Sequence, residues 1–297
     1  MKLLTLRTQR GLELGIKTDR GVLNLRRALS RFPAQSNVPL SIEQVLAGGD
    51  EALRDLREYV ARVQAGTSDL FVPEAGLELG PCVPNPGKII CVGLNYRKHA
   101  EEAEMEIPAY PILFSKFANA VSAAGEETGL PAASSQVDYE AELVIVIGKN
   151  AKKVNKESAL DYVFGYCNGN DLSARDLQFR SSQWLLGKTC DGFCPLGPYL
   201  VTSDEVGDPG NLAIRSFVNG EVRQDSNTSY MIFDCAELVS YVSQHMSLEP
   251  GDIIMSGTPE GVILGYPEEK RVWLKDGDEV TVEIEKLGRL SNRMKQL

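Results

Sequence analysis

"DYEAELVIVIG", residues 138–148, decides how the rest of the chain is read. Asp138, Glu140 and Glu142 alternate with Tyr139, Ala141 and Leu143, and the run is then apolar up to Gly148. Val, Ile and Leu at that density read as a strand entering a core. Side chains two apart on a strand share a face, so three acids line one side of a segment about to be buried. Carboxylates so placed stand within about 7 Å of each other and stay ionised together only with compensation. Raised pKa values, basic partners, solvent or a cation would serve, and an edge strand with a wet face is the plain alternative.

Working outward, short apolar strands separated by turns are expected at 88–92, 112–115, 141–147, 163–167, 198–202, 212–218, 252–256 and 279–284. Helices are expected at 96–104, 156–161, 172–182 and 234–246. This is not the regular strand–helix alternation of a doubly wound sheet, so 88–297 reads as a mixed, mostly β domain, α+β in class. Residues 1–70 read as a small N-terminal α/β unit. "KLLTLRT", "GLELGIKT" and "GVLNL" form strands, Ser41 caps a helix stopped by Gly48–Gly49, and "EALRDLREYVARVQAG" is an amphipathic helix. Pro and Gly in "VPEAGLELGPCVPNPG" mark 71–87 as a linker.

Composition narrows the function classes. The 297 residues are 43% hydrophobic and 24% charged, with a net charge of -10, ordinary for a globular protein and contrary to a phosphate-binding surface. No nucleic-acid partner is expected. No apolar run reaches the roughly 20 residues that span a bilayer, and Arg7 and Arg10 interrupt the start, so no membrane association and a cytoplasmic location are expected. Six cysteines show no CxxC pair and read as buried free thiols. No GxGxxG follows a strand and no GxxxxGK[ST] is present, which leaves nucleotide cofactors without support.

A second acidic element is "GYCNGNDLSARDLQ", 165–178. Asp171 follows a Gly/Asn-rich turn and would serve as a helix cap, but a returning strand would also deliver it beside Glu140 and Glu142. Three carboxylates without His or Cys suit a hard ion, Mg²⁺, Mn²⁺ or Ca²⁺. His99 lies three residues before Glu102 in "GLNYRKHAEEAEMEIP", a spacing that on a helical turn pairs an imidazole with an orienting carboxylate. A solvated charge run explains the same letters. His245 reads as structural.

"CVGLNYRKHAEE", "PILFSKFANAV", "DYEAELVIVIGK", "FGYCNGNDLSARDLQ", "LLGKTCDGFCPLGP", "VNGEVRQDSNTSYMIF", "LEPGDIIMSGTPEGV" and "LKDGDEVTVEIEKLGRLSN" follow one another in this order. Together they make the chain resemble the fumarylacetoacetate hydrolase family. The resemblance implies a rolled mixed β-sheet core, a homodimer, and Mg²⁺ or Mn²⁺ held by Glu140, Glu142 and Asp171, with the place of Asp138 open. It implies a catalytic His99–Glu102 dyad in a segment that orders as a lid, a catalytic Lys188, and substrate contacts from Gln178 and Thr258. Arg175 joins these as a substrate-binding candidate, although it and Lys116 read more readily as structural. The implied substrate is a small 2-oxo acid such as an acylpyruvate, fumarylacetoacetate or oxaloacetate. Metal-dependent hydrolysis of a C–C bond comes first, 2-oxo acid decarboxylation second and isomerisation or hydration third. The non-enzymatic alternative is a 2-oxo acid-binding protein.

Overall fold

The computed structural model describes residues 1–34, 37–66 and 69–297. The strand Ala141–Ile147 is buried along its whole length, and its alternation serves two cores at once. Leu143, Ile145 and Ile147 enter one apolar cluster, while Val144 and Val146 enter another with Cys91, Leu196 and Met255. Such a strand has no wet face, and the acids at its N-terminal end are buried with it.

Around it runs a large mixed sheet, with strands in the order Phe71–Val72, Gly21–Asn24, Gly11–Thr18, Lys2–Thr8, Cys194–Thr202, Val163–Asn170, Ala141–Ile147, Ile253–Met255, Ile89–Gly93 and Ile112–Ser115. Neighbours on this path are antiparallel except Ile253–Met255 and Ile89–Gly93, which pair in parallel with Ile254 opposite Ile90. A five-stranded sheet, Glu221–Asn227, Ala213–Val218, Glu279–Ile284, Gly288–Gln296 and Glu127–Leu130, forms the second layer. Ile214, Val282 and Leu290 from it pack on Leu143, Ile145 and Tyr166, together with Leu238, Val239 and Val242 of the helix Cys235–His245. That helix is capped by Asp234, whose side chain accepts from Glu237 N. The fold is thus mostly β with mixed sheets, as the sequence predicts.

Three strands of the second sheet, Glu127–Leu130, Glu221–Asn227 and Gly288–Gln296, lie outside the expected set, and the expected elements differ at their edges. The strands expected at 163–167 and 198–202 run on as Val163–Asn170 and Cys194–Thr202. The expected helix 172–182 is reduced to Arg175–Gln178, because Ser173 and Ala174 pair with Asp138 and Val137 instead. "GVLNL" ends as a strand at Asn24, whose side chain caps a helix Leu25–Arg31 by accepting from Arg27 N at 2.9 Å. Ser41 accepts from Gln44 N at 3.2 Å, and the chain breaks helical geometry at Gly49 with φ 55° and ψ -140°, as the paired glycines predict.

The N-terminal strands do not form a sheet of their own. Lys2 and Leu3 pair with Val201 and Leu200, and the segment 71–87 contributes Leu79–Gly80, which pairs with Leu6 and Thr5. No helix among the described residues is long and apolar enough to cross a membrane.

Candidate active site

The strand pair Ala141–Ile147 and Val163–Asn170 explains why three acids meet. Ala141 stands opposite Asn170 and Glu142 opposite Gly169, and the Asp171 N–H donates to Glu140 O at 2.9 Å. One ladder thereby sets Glu140, Glu142 and Asp171 together, with one carboxylate oxygen from each within 4.8 Å of the others and every side chain buried.

Cations are built in beside them. Lys188 Nζ lies 2.8 Å from both Glu140 Oε2 and Asp171 Oδ2. Arg175 lies 2.8 Å from Asp138 Oδ2 and 2.7 Å from Glu140 Oε1. Lys116 reaches Asp171 Oδ1 at 2.5 Å and donates to the carbonyls of Leu172, Lys188 and Phe193. Burial alone pushes the Glu140 carboxyl up, but Lys188, Arg175 and His99 outweigh it and hold the group well below the usual range. Burial, then the like charges of Asp171 and Glu140, drive Glu142 well above the usual range, against Lys188 and the Gly257 N–H. The Lys188 ammonium is disfavoured by burial, yet Asp171 and Glu140 prevail and its pKa is raised.

Four buried carboxylates (Asp138, Glu140, Glu142, Asp171) therefore face three buried cations (Lys116, Arg175, Lys188). Glu142 is the one of the four with no ion pair among the described residues, and its carboxyl accepts the Gly257 N–H at 2.9 Å. An all-oxygen set with one charge in excess, concentrated within a few ångströms, fits a hard divalent cation.

Asp138 stands apart from that set. Its oxygens accept from Arg175 Nε at 2.9 Å and from the Ile263 and Leu264 N–H groups at 2.9 and 3.0 Å. It anchors the loop after "SGTPEG", and Glu140, Glu142 and Asp171 remain as the group that could hold a cation.

The helix Arg97–Glu102 brings His99 to the same cavity as Glu140, Glu142 and Lys188. His99 Nδ1 lies 2.9 Å from Glu102 Oε1, and Gly261 N–H donates to both Glu102 oxygens at 3.2 and 3.0 Å. Gly265 lies so close that a Cβ there would meet the Glu102 carboxylate at 2.5–2.8 Å. With Nδ1 committed to Glu102, Nε2 is the nitrogen left for a ligand.

Gln178, Thr258 and Arg175 also line the cavity. Gln178 Oε1 accepts from Arg175 at 3.0 Å, which leaves its amide N–H groups for a ligand. The Thr258 hydroxyl donates to Ala141 O at 2.9 Å and accepts from Gln224 at 2.8 Å. Arg175 spends its guanidinium on Asp138, Glu140 and Gln178, a structural duty. The remaining wall is apolar, with Leu94, Met105, Phe114, Trp184 and Leu264. Phe114 and Trp184 meet edge to face at 5.4 Å, and Gly93 is needed beneath Trp184 because a Cβ would meet its ring at 2.7 Å.

Sequence reasoning missed Gln224, which is buried, accepts from Ala141 N at 3.0 Å and donates to Thr258 and Pro259 O. It joins the acidic strand to the "SGTPEG" turn. Nothing in "VRQDSN" marks that residue, since the amide acts on partners distant in sequence.

Residues 88–295 match the family described as fumarylacetoacetate (FAA) hydrolase C-terminal. The rat protein named oxaloacetate tautomerase Fahd2a, mitochondrial, is 43% identical over 285 residues, covering 96% of this chain and 86% of the relative. A fumarylacetoacetate hydrolase structure from Exiguobacterium antarcticum matches with TM-score 0.80 and 31% identity over 100% of both chains. Maleylpyruvate hydrolase from Sphingobium sp. SYK-6 matches with TM-score 0.76 and 30% identity, again over 100% of both.

Proposed function

Because the chain belongs to the fumarylacetoacetate hydrolase family, we propose that it is a metal-dependent enzyme interconverting the enol and keto forms of a small 2-oxo dicarboxylate of the oxaloacetate type. The observation that carries this reading is one cavity lined by Glu140, Glu142, His99 and Lys188, with Asp171 clustered against the two glutamates and Glu102 paired to His99. The tautomerase name of a relative matched along nearly the whole chain supports placing isomerisation ahead of hydrolysis.

Bound by the three carboxylates, Mg²⁺ or Mn²⁺ would supply a Lewis acid that polarises a 2-oxo group. The chain does the rest. On the way from enol to keto form, His99 Nε2 takes the proton of the 2-hydroxyl and delivers it to C3, so none is gained or lost overall, and Glu102 fixes the imidazole's orientation through Nδ1. The Lys188 ammonium, held protonated by Asp171 and Glu140, balances negative charge as it passes through the substrate oxygen. Phe114, Trp184, Met105 and Leu264 exclude water, which keeps the proton between imidazole and carbon.

A hydrolytic reading is favoured by the same dyad and by the likeness to maleylpyruvate hydrolase. His99 would then deprotonate a water for attack on a distal carbonyl, with Lys188 and Gln178 stabilising the oxyanion before the C–C bond breaks. The two separate in one assay. Purified protein with Mg²⁺ or Mn²⁺ is given enol-oxaloacetate, and loss of the enol absorbance is compared with cleavage of an acylpyruvate. Accelerated ketonisation with slow cleavage supports tautomerisation. Cleavage with enol decaying at the buffer rate transfers the assignment to hydrolysis, and neither reaction would overturn both.

A further inference from the structure

A second cavity shares no lining residue with the first, yet is separated from it by single residues. Tyr139 lines the second and its neighbour Glu140 the first; Ile263 lines the second and Leu264 the first. Arg223, Lys270 and Lys275 bring three positive charges to its wall, against one carboxylate, Asp278. Asp278 is already committed, accepting from Asn219 at 2.9 Å and from Lys275 N at 3.0 Å. Arg223 pairs with Glu221 at 3.0 Å, whereas Lys270 and Lys275 form no ion pair among the described residues. In a chain of net charge -10, a concave wall of this sign draws anions. Val218, Val272 and Leu274 supply apolar surface beside the charges, which suits an anion carrying a short hydrocarbon skeleton.

We propose that this cavity binds a small organic carboxylate and is coupled to the catalytic pocket through Gly261. Tyr139 Oη donates to Gly261 O at 2.9 Å, and the Gly261 N–H holds Glu102. The residue is seated without slack: its φ is 99°, and a Cβ would meet Arg223 O at 2.3 Å. A second line runs from Ile263 N to Asp138 and on through Arg175 to Glu140. An anion that draws Arg223, Lys270 and Tyr139 together shifts the loop on which Glu102 depends, through contiguous hydrogen bonds. The binding half of this inference is independent of the function proposed above; the coupling half rests on it.

The test uses the two tryptophans. Trp184 lines the catalytic pocket, whereas Trp273 packs on the core between the cavity-lining residues Val272 and Leu274, so a Trp184→Phe variant leaves Trp273 as a reporter next to the second cavity. Titration with succinate, against chloride of equal ionic strength, is expected to shift Trp273 emission saturably, with the shift lost in a further Lys270→Glu/Lys275→Glu variant. In the protein retaining Trp184, succinate is expected to change kcat at saturating oxaloacetate, which competition for the catalytic pocket cannot do, and the two lysine substitutions are expected to remove that change. A shift that persists without the lysines, or no shift, overturns the site. Saturation by inorganic phosphate but not succinate overturns the carboxylate assignment. A saturable shift with unchanged kcat overturns the coupling alone.

Discussion

At the scale of single residues, Glu142 is the acid whose charge has no built-in cation. A carboxyl whose folded-state pKa lies above its ordinary 4.5 stabilises the fold fully below that value and gives the contribution up as pH rises through the raised one. The melting temperature of the metal-free protein should therefore fall, through the Glu142 share, as pH climbs from about 4.5, and added Mn²⁺ should reverse the fall. The ion must displace the Glu142 proton, so binding should release about one proton and tighten with pH. Titration calorimetry in two buffers of different ionisation heat checks this; release of none would contradict it. Gly265→Ala should push the Glu102 carboxylate off His99, lowering turnover by about a hundredfold or more, the scale of a lost general base, with Mn²⁺ affinity and melting temperature little changed. Turnover equal to the parent's would detach Glu102 from catalysis. The acids were legible in sequence because strand alternation marks them. Gln224 and the anchoring duty of Asp138 were not, because their partners lie far along the chain.

At the scale of elements, the site depends on the registry of Val163–Asn170 with its two neighbours. Gly165 lets the backbone of Cys194–Thr202 approach, since a Cβ there would meet Val201 O at 2.1 Å. Gly165→Ala should cost about 1–3 kcal/mol, the usual price of overpacking, read as a lower denaturation midpoint; an unchanged midpoint would refute the close approach. Buried strands were legible because Val, Ile and Leu cluster in them, and their ends were not, because pairing extends beyond the apolar run. The helix expected at 172–182 shows why: "LSARDLQFRSSQ" has helical spacing, but pairing with Val137–Asp138 claims its first residues and outweighs propensity. Gly288–Gln296, with polar residues at alternate exposed positions, carries too weak an apolar signal to be read as a strand.

At the scale of the molecule, the N-terminal strands and the catalytic strands share one sheet and one core. Leu3, Leu14 and Ile16 belong to the same apolar cluster as Leu196, Leu200 and Met255. The sequence marks a change of texture near residue 70 but not this continuity, because the pairing of Lys2–Leu3 with Leu200–Val201 is non-local. A chain restricted to 88–297 would expose the edge of Cys194–Thr202 and should aggregate instead of folding; a soluble, cooperatively melting fragment would show that the two parts stand alone. Whether Glu140, Glu142 and Asp171 together grip one dication is measured most directly by the free Mn²⁺ electron paramagnetic resonance signal during titration of the protein. Saturable binding at one ion per chain, lost in Glu142→Ala and in Asp171→Ala, is the predicted result. The same stoichiometry and affinity in both variants would contradict it.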